Sequence, residues 1–247
     1  MHDGRLLPPP TSGRVFRSGR RIRLADRDAE GRLRLDAVMR FLQDVATDDV
    51  DETGWGAPAH LWVVRHARID VLEPVLEAGD VELLTWCNGT ASLAAGRRLS
   101  IAAERRGRIE VDSVWIHLGP DARPARIEGF GVYAASADGR VVTTRLDLPE
   151  PRPGSPSMRW PIRIADLDLM GHVNNAAYWA AVEESLAGSQ VDTRLPLRAR
   201  MDHRHPLDLG DAVNVVSAWD DGGASIAFAV AGVTRAVARV DALFESA

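Results

Sequence analysis

The length and composition of the chain are those of an ordinary globular protein. Its 247 residues suffice for one large domain or two small ones, and 45% are hydrophobic while 26% are charged. The net charge of −5 at pH 7 gives no overall attraction for nucleic acid. Lysine is absent, which excludes every mechanism that needs a lysine amine. The single cysteine, Cys87, excludes an internal disulfide.

Residues 1–13 are predicted to be a flexible leader, because they include three consecutive prolines. This leader lacks the apolar stretch of a secretory signal. No run in the chain approaches the roughly 18 apolar residues that a membrane helix needs. We therefore expect a cytoplasmic protein with no membrane span and no nucleic-acid partner.

The sequence contains two copies of one pattern, and such internal repeats define the architecture of a chain. Residues 22–31 align without gaps on residues 162–171, at an offset of 140, and six positions are identical. Further along, residues 67–74 resemble residues 199–206, and each of these segments leads within a few residues to Gly-Asp. Two matches in the same order indicate a duplication.

A proline-rich segment, residues 146–158, lies between the two copies. Its four prolines are incompatible with a regular helix or a central strand, so the segment is predicted to be a linker. The chain is therefore expected to form two fused domains of the same kind, covering residues 14–145 and 159–247.

Each copy predicts a short strand that ends at an Asp-x-Asp turn, then one helix, then several antiparallel strands. Apolar residues at helical spacing place the helices over Leu35 to Val45 and Ala177 to Leu186. The runs that follow are bounded by Gly and Asp clusters typical of hairpins. These strand-like runs cover residues 61–72, 80–87, 97–104 and 110–118, then 196–203, 212–219, 225–232 and 233–244. The pattern predicts an α+β fold.

The densest polar cluster, residues 166–175, lies immediately before the second helix. A helix N-terminus offers unpaired backbone N–H groups and partial positive charge, which suit a developing oxyanion. The first copy serves as an internal control, because polar residues shared by both copies are expected to shape the turn. Residues found only in the second copy are the functional candidates: His172, Asn174 and Asn175. The alternative for one asparagine is that it caps the helix.

The segment from Asp166 to Tyr178 resembles the active-site segment of hotdog-fold thioesterases. Together with the duplication, it makes residues 14–245 similar to the fatty acyl-ACP thioesterase family, particularly its actinobacterial members. The resemblance implies two tandem hotdog domains, each a sheet around a central helix, arranged as a pseudo-dimer. It also implies a hydrolase of fatty acid biosynthesis that cleaves the thioester between a fatty acyl chain and the phosphopantetheine arm of acyl carrier protein.

Residue by residue, the resemblance assigns Asp168 and His172 to the active-site aspartate and histidine of the family. Two further family positions differ in this chain. Met170 stands where the family has asparagine, and His205 or Pro206 stands where it has glutamate. The resemblance therefore gives a site whose residue set departs from that of the family.

The expected mechanism holds the thioester carbonyl against backbone N–H groups at residues 173–175, with Asn174 as a side-chain donor. Asn175 and Tyr178 are expected to bind the substrate. Asp168, or His172 oriented by Asp168, takes a proton from the attacking water, and direct attack by Asp168 is an alternative.

No cofactor and no metal are expected. His203 and His205 alternate along a predicted strand and would face one side, but the sequence offers no third ligand. Arginine clusters at residues 14–40 and 97–108 are candidates for binding an acidic carrier protein and its phosphate, and solvated surface arginines are the alternative.

Two other functions remain open from the sequence. Acyl-CoA hydrolysis is the nearest alternative, and carrier-specific binding would discriminate it from hydrolysis of acyl carrier protein. A non-catalytic acyl-binding protein is favoured by Met170 and by the missing glutamate. Further association of the two-domain chain into a homodimer is not decided by the sequence.

Overall fold

The computed structural model describes residues 6–55, 61–188, 191–220 and 222–243. Its described strands form one antiparallel sheet of ten, in the order β1-β3-β4-β5-β2-β7-β10-β9-β8-β6. The strands are β1 Phe16–Arg21, β2 Leu61–Glu73, β3 Asp80–Thr90, β4 Ala94–Ala103, β5 Arg108–Leu118, β6 Ser157–Trp160, β7 Leu197–His203, β8 Val213–Asp220, β9 Gly223–Val230 and β10 Val233–Ala242. The helices are α1 Leu35–Thr53, α2 Gly131–Ala137 and α3 Asn175–Ala187.

The α+β prediction is confirmed, and the predicted strands match β2–β5 and β7–β10 to within a few residues at most ends. Ser157 and Met158, the last two residues of the predicted linker, pair in β6. The first five residues of the predicted leader, and Phe244 at the end of the last predicted strand, lie outside the described residues. No described helix is long and apolar enough to cross a membrane.

The prediction that a strand ends at each Asp-x-Asp turn is wrong, because a short 3-10 turn separates the strand from that sequence. The two turns cover Leu24–Asp26 and Ile164–Asp166. In each turn the aspartate accepts a hydrogen bond at 2.8 Å from the backbone N–H three residues earlier. This local side-chain bond competes with the sheet ladder and closes the turn.

The two long helices lie side by side and cover the same sheet. Val38, Phe41 and Leu42 of α1 are fully buried, and Trp179 and Val182 of α3 are also fully buried. Full burial of such side chains stabilises a fold by about 1.5–3 kcal/mol each. The helical spacing of the apolar residues therefore determines which helix faces are covered.

The two copies meet where β2 pairs antiparallel with β7, so one continuous sheet crosses the junction. Buried Asp70 of β2 accepts hydrogen bonds from Arg68 Nε at 2.8 Å and from Arg198 Nε of β7 at 2.9 Å. Burial disfavours the charged carboxylate, but the two arginines outweigh burial and lower the pKa of Asp70. The junction thus contains a charged group that is stable only while its partners remain in place.

We expect Asp70→Asn to lower the free energy of unfolding at pH 7 by about 2–4 kcal/mol, because it leaves the partly buried charges of Arg68 and Arg198 without their carboxylate. A carboxyl whose pKa is lowered by folding stabilises the fold above the unfolded-state pKa of about 4. That contribution is lost as the pH falls through the folded-state pKa. The difference between wild type and variant, measured by urea unfolding, should therefore shrink below about pH 4.

The matched control is Glu77→Gln, which removes the carboxylate of an exposed pair with Arg105. Exposed pairs contribute little, so this variant should unfold at the wild-type urea concentration. Equal stability of wild type and Asp70→Asn at pH 7 would contradict the role of the junction carboxylate.

Candidate active site

The polar loop before α3 is shaped by Asp168. Its Oδ1 accepts hydrogen bonds from the backbone N–H of Met170 at 2.8 Å and of His172 at 3.3 Å. Gly171 has φ +81°, a left-handed conformation that glycine adopts without steric cost. The aspartate and the glycine together turn the chain back so that α3 begins beside the loop.

The first copy builds the same loop around Asp28. Its Oδ1 accepts hydrogen bonds from the N–H of Glu30 at 3.1 Å and of Arg32 at 2.8 Å, and Gly31 has φ +89°. The other carboxylate oxygen, Oδ2, forms an ion pair with Arg32 Nε at 3.0 Å. In the second copy His172 replaces this arginine, and Asp168 Oδ2 has no hydrogen-bond partner within the described part of the chain.

The imidazole of His172 is held by a carboxylate from the loop after β7. His172 Nδ1 lies 2.5 Å from Asp208 Oδ1, and the two residues also form an isolated backbone bridge. The backbone N–H of Asp208 donates to Asp211 Oδ2 at 2.9 Å, which fixes the loop that carries Asp208. The His172 side chain remains 38% exposed, so it is reachable by a ligand.

Asn174 caps α3, because its Oδ1 accepts a hydrogen bond at 2.8 Å from the N–H of Ala176. The prediction of N–H groups free at all of residues 173–175 is wrong. Val173 N–H donates to Leu207 O at 2.8 Å and Asn174 N–H donates to Asp166 O at 2.7 Å. Within the described residues, Asn175 N–H alone of these three has no acceptor.

The first copy shows what this N–H can bind. Leu35, the first residue of α1, corresponds to Asn175, and its N–H donates to Glu183 Oε1 at 2.8 Å. Arg32 Nη2 binds the same oxygen at 2.8 Å. Burial raises the pKa of Glu183, although Arg32 opposes that shift. Glu183 therefore places a carboxylate oxygen at one helix N-terminus, whereas the other N-terminus is open; the residue at the corresponding position of α1 is Gln43.

A cavity of about 750 Å³ lies between the two copies at this open helix end. Asp168, His172, Asn175 and Tyr178 line it, so the structure brings four of the five predicted site residues together. Asn174 does not line the cavity, and its position supports capping rather than the predicted catalytic role. The cavity wall also includes Trp62, Val64 and Arg65 of β2, and Met170, His203, His205 and Pro206.

Tyr178 and His203 form the buried wall of this cavity, with ring centroids 4.9 Å apart. Burial raises the pKa of Tyr178, against a backbone hydrogen bond with Leu207, so its hydroxyl stays protonated at neutral pH. Burial, reinforced by the nearby His66, lowers the pKa of His203 to about 3, so its imidazole is neutral. No cluster of three metal-binding side chains occurs among residues 6–55, 61–188, 191–220 and 222–243.

Both halves of the chain match one sequence family. Residues 13–128 match the acyl-ACP thioesterase N-terminal domain, and residues 152–238 match the acyl-ACP thioesterase C-terminal domain. The chain belongs to the acyl-ACP thioesterase family. Members of this family are thioester hydrolases, and their domains have the hotdog fold.

Individual relatives agree with the family assignment. The chain is 28% identical to an uncharacterized protein of Mycobacterium tuberculosis, over 96% of this chain and 98% of that protein. It is 25% identical to oleoyl-acyl carrier protein thioesterase 2 of Arabidopsis thaliana, over 73% of this chain but 56% of the plant protein. A crystal structure of an acyl-ACP thioesterase from Bacteroides thetaiotaomicron superposes with a TM-score of 0.74 at 15% identity, covering 92% of this chain and 97% of that one.

The two positions at which the resemblance implies a different residue, asparagine in one case and glutamate in the other, both lie at the cavity of this acyl-ACP thioesterase family member. Met170 lines it in place of the asparagine, and His205 and Pro206 line it in the segment where the glutamate is expected. The departures therefore change the wall of the site rather than a distant surface. Asp208, which the sequence prediction did not include, lies outside this wall and contacts it through His172.

A repeat alignment contained the signal for Asp208. The resemblance of residues 67–74 to residues 199–206 continues two residues further and places Leu76 opposite Asp208. The structure supports this register, because Leu33 N–H donates to Val75 O as Val173 N–H donates to Leu207 O, both at 2.8 Å. Asp208, like His172, is thus specific to the second copy.

A second cavity, of about 350 Å³, lies in the first copy and shares Trp62 with the first cavity. Its wall combines aromatic residues with the polar residues Gln43, Thr47, Asp51 and Arg97. The apolar residues that line it are Ala46, Val50, Trp55, Trp62, Cys87, Ala95, Trp115 and Phe130.

Many arginines of the two clusters pair with carboxylates of the chain, but the side chains of Arg105 and Arg106 remain mostly exposed. Binding of an acidic carrier protein by these clusters stays a prediction. Arg97 pairs with buried Asp49 at 2.7 Å, and buried Arg98 pairs with Glu110 at 2.8 Å. In residues 14–40, seven arginines have carboxylate partners: Arg14, Arg17, Arg20, Arg21, Arg32, Arg34 and Arg40. Contacts of this kind depend on the fold and are invisible in the sequence.

We expect Asn174→Ala to lower the free energy of unfolding by about 1 kcal/mol, because the variant loses the helix cap. Asn174→Ser is the matched control, since serine also caps helices but has no amide donor. The test measures the free energy of unfolding in urea and the rate of acyl-thioester hydrolysis for both variants. If the serine variant has wild-type stability but has lost hydrolysis, Asn174 acts in the reaction and the capping assignment is incomplete.

Proposed function

We propose that this chain releases free fatty acid from acyl carrier protein by hydrolysis at the 750 Å³ cavity. One observation carries the proposal: the open N–H of Asn175 lies at the same cavity as Asp168 and His172. The corresponding N–H in the first copy binds a carboxylate oxygen, so this position is built to hold negatively charged oxygen. A thioester carbonyl acquires such an oxygen when water adds to its carbon.

In this mechanism the carbonyl oxygen accepts a hydrogen bond from Asn175 N–H at the positive end of α3. Water adds its oxygen to the carbonyl carbon while its proton passes to His172 Nε2 or to Asp168 Oδ2. The tetrahedral intermediate then expels the phosphopantetheine thiolate, which takes up the proton, and the C–S bond breaks. The products are a free fatty acid and the carrier thiol. Direct attack by Asp168 Oδ2, which gives an anhydride that water then opens, is the alternative order of steps.

The acyl chain of the substrate fits the Trp-lined cavity of the first copy, which adjoins the site at Trp62. Its aromatic and aliphatic walls would remove the alkyl chain from water, and each buried methylene contributes about 0.8 kcal/mol. We therefore assign the chemistry to the second copy and binding of the acyl chain to the first.

The two domains, residues 14–145 and 159–247, are joined by the linker 146–158. They would then act as a pseudo-dimer with one active site. Its one thiol, Cys87, is buried and free, which fits a reducing compartment, and we place the reaction in the cytoplasm.

Thiol release from acyl-ACP and acyl-CoA of medium and long chain length tests the site. We expect His172→Ala and Asp168→Asn each to lower kcat by about 100-fold or more, because each removes a proton acceptor. Asp28→Asn is the matched control, since it alters the same turn in the first copy, away from the cavity. If the wild-type protein cleaves only acyl-CoA, the thiol carrier is coenzyme A and not acyl carrier protein. Folded wild type that binds acyl chains but cleaves no thioester would establish an acyl-binding protein instead.

A proline substitution tests the oxyanion site without removing a side chain that takes part in the chemistry. Proline lacks the backbone N–H and is favoured at the first position of a helix, and Asn174 already has the extended ψ of 138° that a following proline requires. We expect Asn175→Pro to lower kcat about 100-fold, as loss of one oxyanion donor does in other hydrolases. Asn175→Ala keeps the N–H and should retain most of the activity. Equal activities of the two variants would refute the assignment of this N–H.

A further inference from the structure

The His172–Asp208 pair is confined to the second copy. At the same places in the first copy stand Arg32 and Leu76, neither of which can reproduce an imidazole–carboxylate hydrogen bond. Both copies keep a backbone hydrogen bond beside this position. Leu33 N–H donates to Val75 O in the first copy, and Val173 N–H donates to Leu207 O in the second. In each copy, the loop after the second strand therefore accepts this backbone hydrogen bond. The first copy folds in the same way without a carboxylate at the place of Asp208, so the fold does not require one there.

The geometry makes Asp208 a support for His172 and not a part of the cavity wall. A carboxylate can only accept, so His172 Nδ1 carries the proton in the 2.5 Å contact. The neutral ring then has its lone pair on Nε2, which is the nitrogen left for water. The bridge between the two backbones and the N–H of Asp208 bound to Asp211 fix the distance between ring and carboxylate.

His172 needs this support because its side chain is only partly packed. At 38% exposure the ring is not held by close neighbours on all sides, and a histidine free to rotate would present Nδ1 or Nε2 at random. In addition, the segment for which the family resemblance implies a glutamate has His205 and Pro206 here. Among the described residues, Asp208 is the carboxylate that contacts the imidazole of His172.

We propose that Asp208 is a positioning residue for hydrolysis: it fixes the orientation and the Nδ1–H tautomer of His172. This inference rests on the proposed function, because it concerns the base of that reaction. Asp208 touches neither water nor thioester, so it should affect the turnover step far more than the binding of the acyl chain.

The experiment compares Asp208→Leu, which installs the residue of the first copy, with Asp208→Glu, which keeps a carboxylate. Leu76→Asn, at the same place in the first copy, is the matched control. We expect the leucine variant to lose about 10- to 100-fold in kcat with KM changed less than about 3-fold, a part of the 10²–10⁴-fold effect of a general base. The glutamate variant should recover at least part of this loss, and Leu76→Asn should match wild type.

A second readout does not depend on turnover. Nitrogen-15 NMR of protein labelled at histidine reports the tautomer of each ring, and the His172→Ala spectrum identifies the His172 signals. We expect the Nδ1–H tautomer of His172 in wild type and in Leu76→Asn, and a mixture of tautomers in Asp208→Leu.

The outcomes separate the two proposals. If wild type hydrolyses acyl-ACP and His172→Ala does not, but Asp208→Leu keeps full kcat, the positioning role is overturned and the proposed function stands. If Asp208→Leu loses kcat while its tautomer is unchanged, Asp208 does not act through the ring and the inference is also overturned. If wild type cleaves no thioester, the proposed function itself fails.

Discussion

The constraint on which the site depends is that the first N–H groups of a helix have no partner within the helix. The duplication gives the chain two such helix ends, and their first N–H groups have different partners. At α1 the N–H of Leu35 is bound by Glu183, a side chain of the opposite helix. At α3 the N–H of Asn175 is left for a ligand. One helix end therefore contributes to the interface between the copies, and the other contributes to a site.

The closed helix end is held by an ion pair between Arg32 and Glu183. Arg32 contacts both Asp28 and Glu183, so it connects the turn of the first copy with the helix of the second. Burial raises the pKa of Glu183, and Arg32 acts against that shift. Loss of Arg32 alone would leave a buried acid without its charge partner, and such losses are strongly destabilising. The N-terminus of α1 is therefore closed by Glu183, and the proposed chemistry belongs to the open N-terminus of α3.

Much of the fold was accessible from the sequence because its signals are local. Apolar spacing located α1 and α3, and glycine and aspartate clusters located the hairpins. Likewise, comparison of the copies predicted a role in the turn for Asp168, which its hydrogen bonds confirm, and made His172 a functional candidate. The pairing of β2 with β7 was not predictable in this way, because strand order depends on residues more than a hundred positions apart. The same applies to the arginines: Arg97 meets Asp49 across 48 residues of sequence, so its charge could not be recognised as neutralised.

The sequence prediction for Asn174 was wrong for the same reason, because the role of this residue depends on three-dimensional geometry. Asn174 and Asn175 are neighbours with the same side chain, and only helix geometry decides that the first caps α3 while the second faces the cavity. Between the copies, Arg32 replaces His172, Leu76 replaces Asp208, and Gln43 replaces Glu183. In the proposed mechanism His172 is the base and Asp208 is its support, whereas Glu183 closes the N-terminus of α1. Because they act together, a comparison of contacts between the copies identifies the working site better than any single residue does.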